Sequence, residues 1–241
     1  MESFYDNKKG FTLAEVLVSM AIVGIVAALV MPALYNNSKK SAMGASLASS
    51  VELLQNGMKN IFTETTSRSD SGSIETLSAI RKSDIGLDGD TYITDDNAFY
   101  DLTKGLLGIE DSDYGINNIK TYNNAAPSEA LTEGLTAYKF KKSPAVVLFH
   151  NVSIANIATA ADDDIIAKVI IDANGAEQPN KFGEDVFLFG LTNRGILIPA
   201  GSEKYHDFDN TVATGACSAG SVGDGTACAA RVMADKWEIK Y

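Results

Sequence analysis

From Val16 to Tyr35 the chain runs for twenty residues without a charged side chain. As a helix rising about 1.5 Å per residue, such a run spans about 30 Å, the thickness of a bilayer's hydrocarbon core. A buried helix of a soluble protein rarely stays apolar for so long. The one polar side chain inside is Ser19, whose hydroxyl can bond back to its own helix. Gly24 and Pro32 soften the segment, and Pro32 removes one backbone donor. The helical signal then continues in another form. Leu47, Val51, Leu54, Met58, Ile61 and Phe62 recur three or four residues apart, with a last step of one, and define a single apolar face. The pattern predicts one helix from about Thr12 to about Phe62, oily all round in its first half and one-sided in its second.

What precedes the run narrows the reading. Lys8-Lys9-Gly10-Phe11-Thr12-Leu13-Ala14-Glu15 sets a basic pair, a glycine and a phenylalanine before the apolar segment, with a carboxylate at its edge. An ionisable group at that depth is costly and calls for a partner. This stretch resembles the class III signal of type IV pilins and of type II secretion pseudopilins. In that family a short basic leader ends in glycine, the first mature residue is usually phenylalanine, and glutamate is fifth. Gly10, Phe11 and Glu15 hold those places, with Thr12, Leu13, Val16 and Leu17 in keeping. Gly24 and Pro32 also fall where family members carry a glycine and a proline.

The resemblance implies that a membrane peptidase cuts between Gly10 and Phe11 at the cytoplasmic face and methylates the new amine of Phe11. It further implies that Glu15 faces the Phe11 amine of a neighbouring subunit in a filament. The implied partners are copies of the chain or other pilins, the prepilin peptidase, membrane lipid, and an inner-membrane assembly platform with a cytoplasmic ATPase. The implied location is the inner membrane, crossed once, with the head in the periplasm or outside the cell. Two plainer readings compete. An ordinary secretory signal has a shorter apolar core, although Ala33 could end its cleavage site. An uncleaved anchor would let Glu15 reach the interface, and Lys39-Lys40 balance Lys8-Lys9, so the positive-inside rule does not orient it.

The formal net charge of −11, with no basic cluster longer than two residues, argues against a nucleic-acid surface. Two cysteines and two distant histidines, His150 and His206, are too few for a structural zinc, and no C-x-x-C is present. No metal or cofactor is expected. With the head outside the cytoplasm, Cys217 and Cys228 read as a disulfide, two buried thiols being the alternative. No nucleophile elbow, P-loop or dinucleotide fingerprint occurs, and nothing nominates a catalytic residue. Asp162-Asp163-Asp164 and Glu110-Asp111-Ser112-Asp113 read as solvated loops.

In the remainder, residues 63–73 read as a loop, and 74–81 and 98–107 as short helices. Strands are predicted at 145–152, 165–171, 185–191, 195–199 and 237–241, where Trp237, Ile239 and Tyr241 alternate. Residues 209–230 are weak in intrinsic structure. The segment Asp172-x-Asn174-Gly175…Pro179-Asn180…Gly183-x-Asp185-x-Phe187 resembles one found in uncharacterised pilin-like proteins, as does the ending from Cys228 to Tyr241. Asp172, Asn174 and Asp185 could ligate calcium, but position twelve from Asp172 is Gly183 rather than the glutamate of an EF-hand, so a turn is the preferred reading. Asp207, Asp209 and Asp224 are weaker candidates.

The expected fold is α+β, pilin-like, with a long N-terminal helix packed on an antiparallel head. The boundaries are 1–10 leader, 11–35 membrane and assembly segment, 36–62 one-sided helix, and 63–241 head. The function expected from the resemblance is a structural subunit of a type IV pilus or secretion pseudopilus, not an enzyme. A membrane-tethered enzyme or ligand-binding head, or an adhesive or DNA-uptake minor pilin, is the alternative.

Overall fold

The computed structural model of the chain describes residues 10–69, 72–85, 103–150, 161–205, 217–218 and 221–241. The chain divides into two compact units after Lys39. The first contains the start of helix α1 (Leu13–Arg68), and the second runs from Lys40 to Tyr241. Ser19 Oγ bonds to the carbonyl of Val16 at 2.9 Å, and the helix continues through Pro32.

In the second unit a six-stranded sheet follows in strict chain order. Its strands are β1 (Ile109–Asp111), β2 (Leu135–Phe140), β3 (Val146–His150), β4 (Ile165–Asp172), β5 (Val186–Thr192) and β6 (Leu197–Pro199), each antiparallel to the next. Short helices among the described residues include α2 (Glu129–Thr132) and α3 (Ala229–Ala234). Register sorts the side chains into two layers. Val147 pairs with Ile171, which pairs with Phe187, and Phe149 with Val169, which pairs with Phe189. These residues share one buried cluster with Leu47, Val51, Leu54, Met58 and Ile61 of α1. Val146, Leu148, Ile170 and Leu188 belong to a second cluster, closed by Ile119, Leu131, Phe182 and Ala200. Every residue of β4 and β5 is therefore buried, which is why both read as nearly continuous apolar runs.

The apolar stripe read from α1 is the one that faces the sheet, with Phe62 packed at its margin. The helix nevertheless runs six residues past Phe62, through a stretch whose composition predicts a loop. Thr63, Thr65 and Ser67 bond back to the carbonyls of Lys59, Ile61 and Glu64 at 2.9, 2.8 and 2.7 Å, and Thr65 is buried. Their hydroxyls are satisfied inside the helix, so polarity did not end it.

Other elements differ from expectation for local reasons. Residues 74–81 form only one 3-10 turn, Leu77–Ala79, held to the β5–β6 turn by Leu77 N and Ser78 N donating to Asn193 O and Oδ1 at 2.7 and 2.9 Å. Residues 103–107 are helical, while 98–102 lie outside the described residues, as do 151 and 152 at the end of the predicted first strand. Glu110 and Asp111 lie on edge strand β1 rather than in a loop, paired with Lys139 and Lys104 at 3.3 and 3.0 Å. The Thr192–Gly195 turn joins β5 to β6 as expected, with Gly195 N bonded to Thr192 O at 2.8 Å and Gly195 at φ 72°.

The ending is not a strand. Lys236 and Trp237 take φ values of 59° and 66°, and their amides donate to Met233 O and Val232 O, closing the end of α3 and turning the tail away from the sheet. The tail instead lies on α1. Lys40 Nζ donates to Tyr241 O, Ile239 is buried, and a Cβ on Gly44 would fall on the Trp237 carbonyl. Alternating bulk along Trp237, Ile239 and Tyr241 correctly marks one apolar side, but the side covers a helix rather than extending a sheet.

Glycine in a helix interior is about 1 kcal/mol less favourable than alanine, so Gly44→Ala would ordinarily stabilise α1. Here the clash with Trp237 reverses the sign. Gly44→Ala is expected to destabilise the head by roughly 1–3 kcal/mol in denaturant titrations. Gly24→Ala, where no atom lies within 4 Å of the new methyl, should leave the same transition unmoved.

Candidate functional site

At the amino-terminal end, no described atom lies within 4 Å of the position a Cβ would take on Gly10, and Phe11 is 88% exposed. Thr12 begins the helix. Its hydroxyl accepts the Glu15 amide at 3.2 Å, while its own amide and hydroxyl both donate to Glu15 Oε2 at 2.8 Å. This is a reciprocal capping box, in which two otherwise unpaired backbone donors are satisfied. Glu15 therefore already has a local task inside its own helix. The T-x-x-E spacing that signals it stands in the sequence beside the family motif.

From Val16 to Tyr35 the apolar side chains stand exposed, Leu29 by 75% and Met31 by 68%. Among the described residues, α1 is the one helix long and apolar enough to cross a membrane. Apolar area costs about 25 cal/mol per Å² when left in water, so this segment requires lipid or other helices around it. Charge at one end, a capped start and a lipid-length apolar surface thus occur in sequence on one rod. Residues 5–31 match the prokaryotic N-terminal methylation motif. That motif is the type IV pilin and pseudopilin signature, and the chain carries it. The pilin-type motif ends ahead of the second unit, whose α+β layout is the one expected of a pilin-like head. No curated protein and no solved structure matches the chain.

The head contains a second constellation. Asp172 closes β4, and its Oδ1 accepts Asn174 N at 3.2 Å, the Asx turn read from the sequence. Its Oδ2 accepts the Tyr114 hydroxyl at 2.5 Å. Asp185, just before β5, accepts Asn180 N at 2.9 Å and Lys181 N at 2.7 Å. Asn180 stands in the segment quoted from the sequence, where it read only as part of a turn, whereas nothing in the spacing of Tyr114 ties it to Asp172. Gly183 lies against Gly225 and the sulfur of Cys228, so the two head segments singled out by resemblance pack on each other. Cys228 is joined to Cys217 in a disulfide. A bridge across so short a loop contributes about 2–3 kcal/mol in the chain-entropy model.

Of the weaker acidic candidates Asp224 is described, and Asp162 belongs to a run read as a solvated loop. Asp224 accepts both the amide and the hydroxyl of Thr226, at 3.0 and 2.7 Å, and Asp162 pairs with Arg194 at 2.7 Å. His206, Asp207 and Asp209 lie outside the described residues.

Burial raises the Asp172 carboxyl to about 7; the Tyr114 hydroxyl opposes the rise and the charge of Asp185 adds to it. Burial also raises Asp185, against its two backbone donors. A carboxyl raised in the folded state binds a proton the unfolded chain has released, so its contribution is complete below the unfolded value and is lost as pH rises through the folded one. The head should become less stable from about pH 4 to about pH 7, followed by chemical denaturation at each pH. Asp172→Asn should flatten that slope.

Proposed function

We propose that this chain is a prepilin-like structural subunit of a type IV pilus or a secretion pseudopilus, and that it acts by assembly rather than catalysis. The carrying observation is the methylation motif at residues 5–31, set at the open, capped start of an exposed apolar helix. A membrane peptidase cuts between Gly10 and Phe11, where glycine lets an enzyme approach the backbone closely. The cut creates a positive amine on Phe11 at the membrane edge, which the same enzyme methylates.

After cleavage the segment 11–35 is stored in the inner membrane, with the head in the periplasm. An ATPase-driven platform then draws it into a filament with copies of itself or other pilins. In the apolar bundle an unpaired charge costs several kcal/mol, so the Phe11 amine of one subunit and Glu15 of the next select one axial register. Thr12 donates twice to Oε2 and leaves Oε1 of Glu15 open to that amine. The cysteine bridge accords with a head outside the reducing cytoplasm.

Intact-mass analysis of the protein from its native membrane should give a chain beginning at Phe11 with a methylated amine. Gly10→Leu should leave the leader attached. A wild-type chain that retains its first ten residues would end this reading. Separately, Glu15→Ala should be cut normally yet lower sheared-filament yield more than tenfold, since about 1.4 kcal/mol is one decade and the lost pair exceeds that. An undiminished yield would remove the register argument.

A further inference from the structure

The antiparallel order gives the head two unlike ends. At one, the β5–β6 turn lies against Met58 and Phe62 of α1. Asp162 and Asp164, which precede β4, are bonded there to Arg194 and Asn193. The β2–β3 turn emerges at the opposite end, where Ser143 Oγ stands 3.5 Å from Ser46 Oγ. The β4–β5 loop starts beside it, with Ser46 donating to Ala173 O at 2.6 Å. The tail meets the same stretch of α1, through Trp237 at Gly44 and Tyr241 at Lys40. Gly44 and Ser46 are about 200° apart around a helix, so tail and turn flank the buried stripe on two sides.

The fold thereby collects lysines that are scattered in the sequence. Lys40 lies on α1, Lys141 and Lys142 on the β2–β3 turn, and Lys236 and Lys240 on the tail. Lys120 joins them, since its backbone bonds to Asn180 and Phe182 of the β4–β5 loop. Lys40 donates to the Tyr241 carbonyl. Three acids at this end, Glu238, Asp235 and Glu184, are matched by Lys240, Arg231 and Lys181 at 3.0, 2.6 and 3.7 Å. Among the described residues that leaves Lys120, Lys141, Lys142 and Lys236 exposed and unpaired, with Glu177 and Asp113 as the exposed acids nearby in the chain trace. A local positive excess in a chain of net charge −11 runs against its composition.

Position supplies a second argument. Lys40 follows Tyr35, the last residue of the lipid-length run, by five residues. Whatever path the chain takes, five residues reach at most about 18 Å. This end of the head is therefore tethered close to any bilayer that holds the run. Its tail also offers Trp237 and Tyr241, both half-buried, and these residue types gather at membrane–water interfaces.

We propose that this end of the head docks on anionic phospholipid headgroups, Lys141, Lys142 and Lys236 meeting the phosphates and Trp237 entering the interface. The proposal rests on the reading of α1 as a membrane anchor. An ammonium on a flexible stem suits scattered phosphates better than a rigid fork does. Attraction of a basic cluster to an anionic surface fades within a Debye length, about 10 Å at 0.1 M salt. The acidic end of a second copy offers the same sign of charge. The tether favours lipid, because it keeps the surface at high effective concentration.

The test reconstitutes the full chain in vesicles of phosphatidylcholine, alone or mixed equally with phosphatidylglycerol. Trp237, the one tryptophan of the chain, is read by its quenching with headgroup-spin-labelled lipid. Quenching should be roughly twofold stronger in the anionic vesicles and fall to the neutral level in 1 M salt, where the Debye length is about 3 Å. Lys141→Gln with Lys142→Gln lies outside the tail and on exposed positions, so the melting temperature should hold while most of the difference disappears. Flotation with the vesicles checks the anchor separately. A chain that fails to float ends the anchored reading and the docking with it. A floating chain quenched equally in both vesicles overturns the docking alone. So does a difference that survives the lysine changes, or quenching that follows protein density rather than anionic lipid, which would assign the face to a second copy.

Discussion

The head rests on the contact between one stripe of α1 and one face of β3, β4 and β5. Leu47, Val51, Leu54, Met58 and Ile61 meet a surface of Val147, Phe149, Val169, Ile171, Phe187 and Phe189. Each fully buried side chain of this kind is worth about 1.5–3 kcal/mol. The opposite face of the same strands is covered by Ile119, Leu131 and Phe182. Because both faces are covered, a slip of one residue in β4 or β5 would exchange two packed layers, and the register is fixed from both sides. The tail and the β4–β5 loop are then positioned against this assembly by small groups. Gly44 makes room for a backbone carbonyl, and Ser46 bonds another.

Where the sequence was legible, the physics was periodic. The lipid-length run, the stripe of α1 and the cores of β3, β4 and β5 all carry their pattern in consecutive residues. What could not be read depended on distant partners. Strand β1 is three residues long with two acids, and exists because β2 pairs with it. In β2 only Tyr138 and Phe140 are buried, too few for a clear alternation. Helix α3 forms in a small-residue stretch because Ala229 and Val232 pack against the core beside the cysteine bridge. Trp237 to Tyr241 had the alternation of a strand, but two left-handed residues at its entry turned it onto α1.

The two ends of the molecule illustrate different kinds of legibility. At the amino terminus the chemistry is linear: Gly10, Phe11, Thr12 and Glu15 are neighbours, and their geometry follows from helix spacing. In the head, Tyr114 reaches Asp172 from 58 residues away. Such a hydrogen bond leaves no trace in local sequence. Only the Asx character of Asp172-Ala173-Asn174 was visible, and it described the turn without revealing the buried company that the turn keeps.

The outermost described strands, β1 and β6, are three residues each. One displays charged Glu110 and Asp111, while the other ends in a proline that has no amide to offer. Short, charged or proline-bearing margins are poor templates for another chain to zip onto. Neighbouring heads are thereby discouraged from fusing into a continuous ladder. In the filament proposed above, cohesion among copies would then come from the apolar helices, which would leave the heads separate and their outer surfaces at liberty to diverge.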